Sequence, residues 1–201
     1  MTLVLAALLG YLLGSVPFAV LVSRAFGLSD PRHVGSGNPG ATNVLRSGNK
    51  AAAALTLLGD AAKGWIAMFV AEKVGADGTA VAAAGLAAFI GHVYPFTLGF
   101  RGGKGVATAL GVMIFFSGQL AGIVAAAWLA VVATTRYSSL AALVAAASAP
   151  LLAGWLIGRI EVVFPVTVMS GILIARHKGN IQKLLTGTEH RIGTKKPVQE
   201  S

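Results

Sequence analysis

The sequence contains no cysteine, and that single absence excludes disulfide staples, thiolate nucleophiles and zinc–sulfur sites. Charge is also scarce. Only 11% of the 201 residues are charged while 55% are apolar, too little polar material to cover a water-facing surface. Hydrocarbon must therefore solvate much of the chain. Acids are the scarcest class: seven Asp and Glu stand against sixteen Lys and Arg, a net charge of +9. The four histidines show no His-Glu-x-x-His or other paired-ligand spacing, so no metal site is expected. No Gly-x-Ser-x-Gly elbow supplies a serine nucleophile. The basic residues lie mainly at the ends of apolar runs without an aromatic stacking surface, a pattern that argues against nucleic acid as a partner.

What is present is a series of long apolar stretches. Crossing about 30 Å of hydrocarbon takes about 20 mostly apolar residues in a helix. Reading between charged or Gly/Pro-rich breaks gives seven candidate segments, at 3–26, 51–72, 78–98, 106–116, 118–134, 138–157 and 160–175. The expected fold is all-α: a polytopic integral membrane protein of about seven transmembrane helices, one domain over 1–201 with a short basic tail from 176. The run from Thr2 to Phe26 is too long for a signal peptide and lacks the basic start and small-residue cleavage site, so it reads as a retained first helix. The stretch 106–134 also admits one tilted helix, although Ser117-Gly118-Gln119 has the composition of a tight polar turn.

The distribution of Lys and Arg decides between these counts. With seven spans, one side collects Arg24, Arg32, Arg46, Lys50, Arg101, Lys104, Arg136, Arg176, Lys178, Lys183, Arg191, Lys195 and Lys196, and the other only Lys73 and Arg159. Thirteen against two is a strong positive-inside bias. It predicts an outside N-terminus, a cytoplasmic C-terminus and cytoplasmic glycine-rich loops. Inside the spans, Gly10-x-x-x-Gly14 predicts close helix packing. Asp60 and Lys63 share a helix face within the second span and read as an internal ion pair that supports the nearby loops.

Three basic, glycine-rich blocks carry the candidate chemistry. The first, Gly35-Ser36-Gly37-Asn38-Pro39-Gly40-Ala41-Thr42-Asn43 with Arg46, combines flexible backbone with Ser36, Asn38, Thr42 and Asn43 as neutral donors and a forked guanidinium, a set suited to an anion. Its formal Gly-x-Gly-x-x-Gly match lacks the strand that a dinucleotide fold requires. The second, Phe100-Arg101-Gly102-Gly103-Lys104-Gly105-Val106-Ala107-Thr108, leads a glycine turn into a helix N-terminus beside Lys104 and predicts a phosphate cradle. It is no nucleotide P-loop, because Gly105 stands where Ser or Thr would hold magnesium. The third runs from Arg176-His177-Lys178-Gly179-Asn180-Ile181 to Glu189. Ile181, Leu184 and Leu185 share one face of a short amphipathic helix on the headgroup layer.

With these blocks in this order, the chain closely resembles the bacterial acyl-phosphate:glycerol-3-phosphate acyltransferase (PlsY) family over essentially its whole length. Gly14-Ser15-Val16-Pro17-Phe18 and Asp60-x-x-Lys63-Gly64 fit the same pattern, and Gly179 departs from it where the family usually has an acidic residue. The resemblance implies transfer of a fatty acyl group from acyl phosphate to the 1-hydroxyl of glycerol 3-phosphate, the first committed step of bacterial phospholipid synthesis, in the cytoplasmic (inner) membrane and without a cofactor. It implies phosphate binding by Ser36, Arg46, Lys104 and the glycines Gly102, Gly103 and Gly105, together with Gly35, Gly37, Asn38, Thr42 and Asn43. It assigns His177 and Asn180 to placing glycerol phosphate and leaves Glu189, Asp60 and Lys63 as structural support. Its partners would be the two substrates, membrane lipids and, transiently, the soluble enzyme that makes acyl phosphate. His-x-x-x-x-Asp, the pattern of the large soluble-faced glycerolipid acyltransferases, is absent. The competing readings are an anion transporter and a lipid-binding structural protein. Inverted repeats with paired broken helices, which would favour the transporter, are not found in the sequence.

Overall fold

The computed structural model describes residues 2–193, and within them every regular element is helical. Lys195 and Lys196 of the basic tail lie outside the described residues. Helix α1 (Leu3–Gly14) starts where the Thr2 hydroxyl accepts the Leu5 N–H, and it stops before Pro17, which has no N–H to continue the ladder. Helix α2 (Phe18–Ala25) resumes after this break, so the single first helix expected from the sequence is two helices sharing one membrane-length path. A short α3 (Ala41–Leu45) sits in the long loop that follows. Helix α4 (Lys50–Lys73) is capped by the Asn49 side chain at 2.9 Å, and α5 (Gly78–Val93) by that of Asp77 at 2.8 Å.

The turn read at Ser117-Gly118-Gln119 is present. Helix α6 (Val106–Phe116) ends there and α7 (Gly118–Thr135) begins, with the Ser117 hydroxyl accepting the Leu120 N–H at 3.2 Å. Helices α8 (Ser138–Leu156) and α9 (Ile160–Arg176) complete the bundle, and the short α10 (Lys178–Leu185) turns away from α9 by 56°. All seven apolar segments are therefore helical, but they are not all full spans. Five are long and apolar enough to cross a membrane, and the bent pair α9–α10 makes up to six. At eleven residues α6 covers only about 16 Å. The chain before α6 explains its shortness. It folds back along the last turn of α5, with the N–H groups of Gly102 and Gly103 donating to the Val93 and His92 carbonyls at 3.1 Å, so α6 starts below the end of the bundle.

Small residues set the packing. A β-carbon on Gly10 or Gly14 would collide with the Ala84 or Ala88 carbonyl, and one on Gly111 with that of Ala61. The α1–α5 contact is thus the close backbone approach expected of Gly-x-x-x-Gly. Met68, Phe89, Val112, Leu120, Val166 and Met169 fill the interior among many alanines. Leu3, Leu8, Leu12, Leu58, Leu129, Leu151 and Trp155 point outward, where only lipid tails make their exposure favourable.

Candidate active site

The backbone of the second block is shaped by what its glycines touch. Side chains on Gly102 and Gly103 would strike the His92 carbonyl and the His92 ring, and Gly105, at φ +88°, lies against the Phe89 ring. These residues let the loop lie flat on α5. Because the Gly102 and Gly103 N–H groups already donate to α5, the donors that remain for an anion are those of the first turn of α6, which has no partners within the helix. Lys104 sits at that turn. Its ammonium donates to the Asn180 side-chain oxygen of α10.

The third block supplies the opposing wall. Asn180 Nδ2 donates to Glu189 Oε1 at 2.8 Å, and the same oxygen accepts the Ser139 hydroxyl of α8 at 2.8 Å. Arg176 ties the end of α9 to the second block by donating to the Gly102 carbonyl at 3.3 Å, with its guanidinium over the Tyr94 ring. His177, at the α9–α10 bend, is buried, and its Nδ1 lies 2.8 Å from the Leu173 carbonyl. A carbonyl can only accept, so Nδ1 carries the proton and Nε2 is the ring's free acceptor. Burial pushes the His177 imidazole down to about 4, a shift the Leu173 bond opposes and the Lys104 charge reinforces. Burial likewise pushes the Lys104 ammonium down to about 8. Glu189 resists that shift, while Arg46, Lys183 and Arg176 add to it.

The first block is built differently. Buried Asn43 staples it from within: its oxygen accepts the Ser36 N–H at 2.9 Å, and its amide donates to the Pro31 carbonyl at 2.7 Å and the Val34 carbonyl at 3.0 Å. Gly35 and Gly37 adopt φ +61° and +71°, and a β-carbon on Gly35 would collide with Asn43 Oδ1. The Gly37 and Gly40 N–H groups also close turns inside the loop. Ser36 and Arg46 are exposed, and Thr42 and Asn38 are half-buried. Arg46 is near enough to Lys104 for its charge to be felt there.

Beneath the loops, Asp60 joins Lys63 at 2.9 Å and His92 Nδ1 at 3.3 Å, all three almost fully buried. Lys63 also donates to the Val16 carbonyl at 2.9 Å, within the break between α1 and α2. The Thr97 hydroxyl donates to the Ser15 carbonyl at 2.6 Å and the Tyr11 hydroxyl to the Tyr94 carbonyl at 2.9 Å, so the segment leading into the second block is moored to the end of α1 and the start of the break. Among the described residues, no group of three His, Cys, Asp or Glu side chains is arranged to hold a metal ion.

The glycerol-3-phosphate acyltransferase family profile matches residues 4–187. The chain belongs to that family. It is 59% identical over 200 residues to the glycerol-3-phosphate acyltransferase of Laribacter hongkongensis, covering 98% of this chain and 99% of the relative. The protein of the same description from Aromatoleum aromaticum is 55% identical over 196 residues, covering 98% and 100%. Two crystal structures of PlsY (YgiH), an integral membrane glycerol 3-phosphate acyltransferase, share the fold. The glycerol 3-phosphate form has a TM-score of 0.90 at 40% identity and the lysophosphatidic acid form 0.88 at 39%; each comparison covers 96% of this chain and 97% of the other. This acyltransferase-family chain is an integral membrane protein.

Within the family frame, the structure brings Lys104, Asn180, Glu189 and His177 together at one end of the bundle, with Arg46 close by. Sequence reasoning missed Ser139, a serine in an unremarked turn, and the partnership of His92 with Asp60. The second had a signal: a histidine and a lone intramembrane carboxylate, each on an apolar helix, both need a partner.

Proposed function

We propose that the protein transfers a fatty acyl group from acyl phosphate to the 1-hydroxyl of sn-glycerol 3-phosphate, releasing phosphate and lysophosphatidate. The observation that carries this reading is the meeting of Lys104 and Asn180 beside Arg46 and the first turn of α6, a set of cationic and N–H donors at the edge of an apolar bundle. Both substrates are phosphates, and one carries a chain that belongs in lipid. Lys104, Arg46, Ser36 and the α6 N-terminus hold the phosphate groups. Asn180 aims the Lys104 ammonium, and neutral His177 helps to place glycerol phosphate.

In the reaction the hydroxyl oxygen bonds to the acyl carbon, the carbon–oxygen bond to phosphate breaks, and the hydroxyl proton must leave. His177 is a weak base at neutral pH because burial disfavours its cation. The departing phosphate becomes more basic as its bond to carbon breaks, and it lies next to the attacked carbon, so the substrate takes the proton itself. The motif loops face the cytoplasm, because the described cations gather at their end and only Lys73 and Arg159 at the other.

The test is conversion of labelled glycerol 3-phosphate with synthetic acyl phosphate by purified protein in lipid. Stoichiometric lysophosphatidate and phosphate are expected, and activity with an acyl thioester alone would defeat the choice of donor. For the proton, His177→Gln should keep appreciable kcat. A loss above about 10³-fold, together with disappearance of a pH limb near 6.5, would establish a histidine base instead.

A further inference from the structure

The turn between α7 and α8 lies outside all three motif blocks, yet it grips the chain that follows the third. Arg136 closes α7 at φ +62°, a left-handed conformation that a β-carbon disfavours and helix ends usually give to glycine. Its side chain accounts for the exception. The Arg136 carbonyl accepts the Ile192 N–H at 2.8 Å, while its guanidinium donates to the Ile192 carbonyl from Nε at 3.0 Å and Nη2 at 2.7 Å. Glycine would make the same turn without this grip. Next along the turn, the Tyr137 hydroxyl accepts Arg191 Nε at 3.1 Å. Buried Ser139 then donates to the Glu189 oxygen that also accepts Asn180, whose own oxygen receives Lys104. An unbroken polar chain, Ser139 to Glu189 to Asn180 to Lys104, joins this turn to the ammonium.

We propose that the α7–α8 turn is a latch that positions Lys104: Arg136 clamps the segment Glu189–Ile192, and Ser139 aims Glu189 so that Asn180 presents its oxygen to the ammonium. Arg136 and Ser139 are positioning residues and touch no substrate. The importance of the latch for turnover rests on the proposed phosphate-binding role of Lys104. Among the described residues, the charged groups that act on Lys104 are Glu189, Arg46, Lys183 and Arg176, with neutral His177 nearby, so Glu189 is the one anion among cations. When the latch opens and Glu189 swings away, Lys104 is left facing cations alone and gives up its proton at lower pH.

The test uses full-length protein in lipid nanodiscs, with Ser139→Ala, Ser139→Thr and Arg136→Gly, the last keeping the left-handed turn without the guanidinium. Hydrogen exchange over 186–193 reads the clamp, competitive acetylation of Lys104 across about pH 6–10 reads its titration, and kcat and KM for glycerol 3-phosphate read the consequence. Arg136→Gly should speed exchange of the Ile192 amide about tenfold, the worth of one or two hydrogen bonds. Ser139→Ala should lower the acetylation midpoint by about half a pH unit and kcat/KM by about tenfold, with Ser139→Thr restoring both. An unchanged midpoint in both Ser139→Ala and Arg136→Gly overturns the proposal even if exchange quickens, because the turn would then hold the segment without acting on Lys104. Acetylation requires no turnover. A wild-type protein that converts no acyl phosphate would therefore sink the catalytic reading while leaving the latch measurable.

Discussion

The two halves of the candidate site are built on opposite plans. The second and third blocks are wired to each other and to distant helices: Lys104 to Asn180, Asn180 and Ser139 to Glu189, and Arg176 to Gly102, above a buried Asp60–Lys63–His92 cluster. The first block is stapled mainly to itself through Asn43, and the two groups proposed to meet phosphate, Ser36 and Arg46, stand exposed. One half is preorganised by tertiary contacts, and the other is a locally folded flap with an exposed cation at its edge. Donors fixed before substrate arrives need no reorganisation at the moment of reaction, so they contribute most to the transition state. An exposed arginine loses much of its field to water and salt.

Four measurements can break or sharpen this contrast. The largest effect should come from Lys63→Ala. Removing one partner of a buried pair leaves Asp60 with only His92 and should destabilise the fold by about 3–5 kcal/mol. Thermal unfolding in detergent reads it, and a midpoint unchanged within error would show that the cluster supports nothing. Lys104→Ala should come next, lowering kcat/KM by the equivalent of about 2–4 kcal/mol without loss of folding. Near-native turnover in a correctly inserted Lys104→Ala protein would remove the wired half from the chemistry.

Arg46→Ala should cost less, about 1–2 kcal/mol, because its charge is exposed, and the deficit should shrink as salt rises. Equal losses for Arg46→Ala and Lys104→Ala at every ionic strength would erase the distinction between the halves. The smallest effect is in the pH profile. Lys104 is held down to about 8, and in its proposed role it binds phosphate while protonated, so kcat/KM should fall as pH rises through that value. His177, held down to about 4, stays neutral from pH about 6 upward and should add no limb near 6.5. An acid limb at about 6.5 that disappears in His177→Gln would contradict this assignment.

Much of this architecture is legible in the order of residues. The seven apolar segments, the break at Ser117 and the close packing at Gly10 and Gly14 follow from local hydropathy, turn chemistry and the size of a side chain. The shortness of α6 is also visible as an eleven-residue run. Its cause is not, because the fold-back of Gly102 and Gly103 onto α5 depends on carbonyls of another segment. The site divides the same way. Lys104, Asn180 and His177 can be named from donor-rich, acid-poor loops, whereas Ser139 carries no mark in the sequence.

By itself the sequence determined that the chain lives in hydrocarbon, that it gathers its cations at one end, and that three glycine-rich blocks stand there, since composition and periodicity act within a few turns of chain. Only the tertiary structure decided which donors remain free. The Gly102 and Gly103 N–H groups turned out to serve α5, the Asn43 amide the first loop, and Glu189 a serine two helices upstream. A hydrogen-bonding group satisfies whichever partner the fold brings within about 3 Å, and that choice is made by helices packing on one another, across stretches of chain that no local pattern connects.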